Sequence, residues 1–373
     1  MNFLDQLTTY DYTDVLARIE AKSATDVERA LAAERRRPED LMALLSPAAE
    51  AYLEPMAQQA HRLTLQRFGR NILLYAPIYL SNECTNGCRY CGFNAGNRVP
   101  RRTLTLEEIE AEAQVLHRHG FRHVLLVTGE APRALDNDLL AAAVRRLRPL
   151  FSSISIEVYP MEEDGYRQMV AAGVDGLTLY QETYDRRLYA EMHPFGKKRD
   201  FDWRLLAPER GGAAGLRRIG IGALLGLGSF RAEAFFVGLH ALHLSRHFWR
   251  SHLSVSFPRI RPAEGGFAPL HPVSDPRFVQ LICALRLLLP DAGLVLSTRE
   301  SAHLRNHLIP LGITQMSAGS CTAPGGYTGG DDETRQFAID DDRTPAQVSE
   351  LIRSLGYEAV WKDWDRAFLD KTG

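Results

Sequence analysis

The sequence predicts an α/β fold, a (β/α)8 barrel preceded by a helical N-terminal extension. Three observations carry this. Short apolar runs alternate with amphipathic stretches in about eight successive β-then-α steps between residues 71 and 320. Such steps imply a parallel sheet with right-handed crossovers, and eight of them close more readily into a barrel than into an open sheet. Residues 1–70 carry helical patterning alone. No G-x-G-x-x-G follows the first strand and no P-loop sequence occurs, which weighs against a nucleotide-binding open sheet; Gly220–Gly222 and Gly226–Gly228 lack the spacing.

The elements follow in order. In the extension, Thr25 and Glu28 read as a capping box, and Pro38 stands where a first helical residue belongs, for two to four helices in all. Ile72–Leu80 is the first strand. Thr105 with Glu108 caps a helix ending at Gly120. Strands are expected at 124–128, 153–159, 176–180, 220–225, 253–257, 294–297 and 312–317, with helices at 136–150, 164–172, 201–214, 232–248, 276–289 and 302–311. Residues 321–373 form a tail on the barrel: acidic at first, helical from Pro345 to Gly356, and ending in WKDWDRAF.

Composition bounds the function. The 373 residues carry 44 Lys and Arg against 46 Asp and Glu, a net charge of −2, and 45% are hydrophobic. That is an ordinary globular balance, not that of a disordered tail, a collagen or a disulfide-stapled domain. It lacks the basic excess expected of a nucleic-acid binder. No apolar run is long enough for a membrane span, and Asp5, Asp11 and Asp14 sit where a signal peptide needs a basic start and an apolar core. The odd count of five cysteines, three within eight residues, suits a reducing, cytoplasmic setting rather than a disulfide framework.

The sharpest feature is Cys84-x-x-x-Cys88-x-x-Cys91, just after the first strand, where a barrel places its active-site loops. Asn86 and Gly87 supply the turn between the first two thiols. Three thiolates can wrap an iron–sulfur cluster and leave one iron open to an external ligand. Structural zinc wants four ligands, usually in pairs, and Cys283 and Cys321 have no such partner. Cys283, in LICALRLLL, reads as a core residue, while Cys321 in SAGSCT lies near the barrel mouth with no role that the sequence decides.

This cysteine spacing, with Tyr90 as the aromatic, resembles the radical S-adenosylmethionine (SAM) superfamily. The resemblance implies a [4Fe-4S] cluster whose open iron is chelated by SAM, and reductive cleavage of SAM to methionine and a 5′-deoxyadenosyl radical. Gly129-Glu130, ending the second strand, matches the element that binds the SAM amino group. The segments YQETYD, KKRDFDWRL, IGIGALLGL, VSFPRIRP, LSTRES, MSAGSCTAPGGY and VWKDWD extend the likeness to the 2-iminoacetate synthase family. That family implies cleavage of the Cα–Cβ bond of L-tyrosine to 2-iminoacetate and p-cresol, a thiazole synthase partner, and a reductant such as flavodoxin or ferredoxin. The related tryptophan lyases are the rival within the superfamily. Outside it, the rival is an iron–sulfur carrier or sensor, which would enclose its cluster with four protein ligands.

The remaining candidates sit at strand ends. Glu182 and Arg299 are candidates for direct participation in the reaction; Tyr90, Gly129, Glu130, Glu157, Tyr180 and Arg204 for contact with SAM. Arg299, Arg259 and Arg261 are candidates for the substrate carboxylate, since an arginine fork matches that group; the competing expectation is that each pairs with a barrel glutamate such as Glu300. His240, His243 and His247 share a helix face, as do His303 and His307; both groups are expected to be solvated, having no carboxylate at zinc-site spacing. Arg35-Arg36-Arg37 reads as a solvated helix end.

Overall fold

A computed structural model describes residues 2–329, 334–363 and 365. The acidic residues Asp331–Glu333 and half of the closing WKDWDRAF lie outside them.

The extension has five helices: α1 (Phe3–Leu7), α2 (Tyr12–Glu20), α3 (Ala24–Ala32), α4 (Pro38–Leu45) and α5 (Leu53–Phe68). That exceeds the expected two to four. The cap of α3 also differs from expectation. Ser23, in extended backbone, accepts from Asp26 N, and Asp26 returns the bond, so the helix starts before Thr25. Glu28 instead accepts from the Tyr52 hydroxyl at 2.6 Å. Pro38 opens α4 as expected.

The barrel strands are β1 (Asn71–Ser81), β2 (His123–Thr128), β3 (Ser153–Glu157), β4 (Gly176–Thr178), β5 (Arg218–Gly222), β6 (His252–Ser256), β7 (Gly293–Leu296) and β8 (Gln315–Ser317). Each pairs in parallel with the next. Leu73 against Gln315 and Ala76 against Val124 close the ring through β1. The intervening helices are α6 (Leu106–Arg118), α7 (Asn137–Leu147), α8 (Glu163–Ala172), α9 (Arg186–Met192), α10 (Phe201–Leu205), α11 (Ala207–Ala213), α12 (Phe230–His247), α13 (Asp275–Leu288) and α14 (Ala302–Leu308). Thr105 and Glu108 form the expected capping box of α6. Strand residues such as Leu126, Ile156 and Ile221 are buried under this helical ring, and Cys283 is buried on α13. Truncating one such leucine to alanine costs about 2–5 kcal/mol.

After the barrel come α15 (Pro345–Ser354) and β9 (Glu358–Val360). β9 is a strand the sequence pattern did not suggest; it pairs with the start of β1, Asn71 against Glu358. Between β8 and α15 the chain crosses the barrel mouth, where Asp340 N and Asp341 N both bond to Thr298 O. The buried Asp341 is held there by Arg305 and Arg343.

His240 and His243 are buried, against the expectation of a solvated face, because α1 lies on α12. The Phe3 ring stacks on His240 at 4.0 Å, and the Tyr184 hydroxyl lies 2.9 Å from its Nδ1. Loss of water pushes the His240 pKa down to about 3, with His243 acting in the same direction. His247, His303 and His307 are exposed as expected.

Candidate active site

A cavity of about 1530 Å³, counted to its open mouth, lies at the C-terminal end of the barrel strands, and all three clustered cysteines line it. β1 ends in a register shift between Tyr79 and Ser81, and the cysteine loop begins there. The backbone of Glu130 receives this loop: Thr85 N and Thr85 Oγ1 each bond to Glu130 O at 3.0 Å. Gly129 allows that approach, since a Cβ there would overlap Glu83 O. On its other side the loop is tied to the chain after α9 by Gly87 N to Phe195 O at 3.2 Å and Arg89 N to Met192 O at 3.1 Å.

Asn86 does more than turn the chain. Its Nδ2 donates to Glu130 Oε2 at 2.7 Å, and its Oδ1 accepts from Lys198 N at 2.9 Å. One side chain therefore links Glu130 to the turn that carries Lys198. Tyr90 hydrogen-bonds His193 Nε2 at 2.8 Å. His193 is buried, and its pKa falls to about 3, first through burial and then through nearby Lys198, so the ring is neutral.

The wall next to the cysteine loop is ionic. Lys198 Nζ lies 2.6 Å from Glu182 Oε1, and Arg204 Nη2 lies 3.5 Å from the same oxygen. Arg204 Nε also donates to Tyr180 O at 2.7 Å. Burial opposes the Glu182 charge, but the two cations outweigh it and hold its pKa below the ordinary carboxylate range. Glu182 is also the one non-glycine residue with positive φ, 71°, among the described residues. Such backbone persists only where its surroundings over-determine it. Glu157, ending β3, lies on the wall too. Burial, and then the charge of Glu182, raise its pKa to about 7.

The three arginines divide. Arg259 is turned to Glu300, to Asp275 at 2.7 Å and to Val273 O at 2.9 Å, and it does not line the cavity. Arg261 reaches the wall, but its Nη2 is 3.0 Å from Glu300. Pairing with the buried Glu300 thus takes the first and engages the second. Arg299 has no carboxylate partner among the described residues; its guanidinium lies 3.4 Å over the Phe337 ring on the cavity wall. Tyr180 lines the cavity with its hydroxyl bonded to Ser256. Cys321 is not on the wall, although its neighbours Ser320 and Thr322 are.

Lys198, Gln336 and Phe337 are wall residues that the sequence reading did not name as candidates. Lys198 sits in the KKRDFDWRL segment, which entered the sequence reading only through the family likeness. The chain folds back just before it, at Gly196, φ 89°.

The donor set suits an iron–sulfur cube. Burial pushes the Cys88 thiol up to about 12 and raises that of Cys91, so these thiolates want a compensating cation. All three sulfurs belong to one loop on the cavity wall, close enough to act on one another. Cys84, Cys88 and Cys91 would hold the cluster, with Glu130 and the Glu182–Lys198–Arg204 wall facing the space beside it.

A soft three-thiol loop beside a polar cofactor-sized cavity, at the mouth of a closed parallel barrel, defines a radical SAM enzyme. Residues 78–234 match the Radical SAM superfamily, and residues 256–358 match the Biotin and Thiamin Synthesis associated domain. The chain is 47% identical over 364 residues to the 2-iminoacetate synthase of Escherichia coli, covering 97% of each chain. To that of Salmonella typhimurium it is 46% identical, again covering 97% of each. Among solved structures it is similar to the [FeFe]-hydrogenase maturase HydG, with a TM-score of 0.85 and 31% identity over 98% of this chain and 82% of that one. The chain belongs to the 2-iminoacetate synthase family of radical SAM enzymes, and a [4Fe-4S] cluster and SAM are its cofactors. Among the described residues no helix is long and apolar enough to cross a membrane.

Proposed function

We propose that the chain cleaves the Cα–Cβ bond of L-tyrosine to 2-iminoacetate and p-cresol, with 5′-deoxyadenosine and methionine as co-products. The observation that carries this reading is the likeness to two 2-iminoacetate synthases over 97% of both chains. The carbon, nitrogen and oxygen of tyrosine are fully divided between the two fragments. Over the cycle two electrons and one proton must be supplied, which calls for an external one-electron carrier such as flavodoxin or ferredoxin. When bound, the cluster and SAM supply the hydrogen abstraction that starts the reaction.

The chain's own residues then have separate tasks. Arg299, with no carboxylate partner among the described residues, takes that of tyrosine in a two-pronged bond. Glu130, steadied by Asn86, holds the SAM amino group. Glu182, fixed by Lys198 and Arg204, meets the ribose, and Tyr90 and Tyr180 wall the nucleotide. Glu157 holds or releases a proton near neutral pH. Apolar wall residues such as Phe93, Leu224 and Phe257 keep water from the reacting atoms. 2-Iminoacetate hydrolyses readily, so transfer to a thiazole synthase in a reducing cytoplasm completes the role.

Anaerobic incubation of the reduced chain with tyrosine or with tryptophan tests this. Tyrosine should yield p-cresol and tryptophan no indole product; the reverse result would assign the chain to the tryptophan lyases.

A further inference from the structure

We propose that Gln336 is a positioning residue for the iron–sulfur cluster: its side-chain amide donates a hydrogen bond to the sulfur of Cys91 and so sets how readily the cluster accepts an electron. The inference rests on the cluster being held by Cys84, Cys88 and Cys91.

Gln336 belongs to the segment that crosses the barrel mouth, 245 residues along the chain from Cys91, yet its Nε2 lies 3.6 Å from Cys91 Sγ. The amide cannot turn away freely. Its Oε1 accepts from the Tyr79 hydroxyl at 2.8 Å. A phenol keeps its proton at neutral pH and an amide oxygen only accepts, so the hydroxyl is the donor. A ligating thiolate only accepts, so Nε2 must be the end that faces it. The backbone is fixed as well. Gly92 N donates to Gln336 O at 3.1 Å, and Gln336 N donates to Thr322 O at 2.9 Å. A Cβ on Gly92 would meet Gln336 O, so the cysteine loop comes this close only because residue 92 is glycine.

The chemical consequence follows from charge. A hydrogen bond to a ligating sulfur favours the more negative, reduced state, and therefore raises the potential. Phe337, the next residue, carries the Arg299 guanidinium on its ring. One short stretch of chain thus ties the electron-accepting group to the cation assigned to the substrate carboxylate.

The test is an anaerobic potentiometric titration followed by the EPR signal of the reduced cluster, without tyrosine, on parent and Gln336→Leu chains of equal iron content. The potential should move to more negative values. SAM cleavage with a flavodoxin donor should fall about 10-fold or more, with little change in KM for tyrosine. Gln336→Glu keeps the acceptor for Tyr79 and places a negative charge at the sulfur; it should shift the potential further the same way. If Gln336→Leu assembles no cluster, Tyr79→Phe, which only frees the amide, should shift the potential in the same direction by less. An unchanged potential in an iron-replete variant overturns the proposal. A parent chain that takes up no cluster overturns the cysteine assignment and the proposal with it.

Discussion

Lys198 and Glu182 form a buried ion pair, Nζ to Oε1 2.6 Å, on the cavity wall beside the cysteine loop, where Lys198 N donates to Asn86 Oδ1. The pair joins the loop after β4, strained at Glu182, to the turn that follows Gly196. Removing one member of such a pair leaves an uncompensated charge in a dry site.

Lys198→Met should destabilise the cluster-free chain by about 3–5 kcal/mol in denaturant unfolding. The double change with Glu182→Gln should recover much of that loss, because no lone charge remains. The Glu182 pKa is depressed in the fold, so the contribution of the pair is present above the ordinary carboxylate range. It should fade as pH falls through the folded pKa. A Lys198→Met chain equal in stability to the parent at pH 8 would contradict the pairing.

Arg299→Lys should raise KM for tyrosine about 10-fold or more, the cost of a charge-assisted bond. Arg259→Lys should leave KM close to the parent value, because that side chain is held by Glu300 and Asp275 and does not line the cavity. Steady-state kinetics on the two variants separates them.

Gly129→Ala should reduce the iron content of the reconstituted chain, measured per polypeptide. The new Cβ would overlap Glu83 O and displace the loop that begins the cysteine motif. Overpacking of this kind costs about 1–3 kcal/mol.

Glu157 has the opposite sign to Glu182. Its folded pKa is raised from 4.5 to about 7, so the unfolded chain ionises first as pH rises. Its effect is a loss of stability that grows between about pH 4.5 and pH 7 and then levels. Glu157→Gln should therefore gain on the parent in unfolding free energy across that interval. A difference that does not vary with pH would contradict the raised pKa.

The barrel was legible because each βα step carries its own signals. The Thr105–Glu108 cap and the Pro38 start are local, and the structure keeps both. The cysteine loop was legible because its three ligands lie within eight residues. What escaped depends on distant partners. His240 is buried because α1 crosses α12, a contact that no period in α12 encodes. Arg259 and Arg299 look alike at their strand ends, and only the place of Glu300 separates them. Gln336 meets Cys91 across 245 residues, and three-residue β9 is too short to show an alternating pattern.

The central claim is that three cysteines leave one iron corner to SAM. Electron–nuclear double resonance on the reduced chain, with SAM labelled by 17O in its carboxylate, tests it most directly. The account predicts hyperfine coupling of the label to the cluster in the parent chain. Absence of coupling in a chain with four irons and bound SAM, with a fourth side chain on that corner, would contradict it.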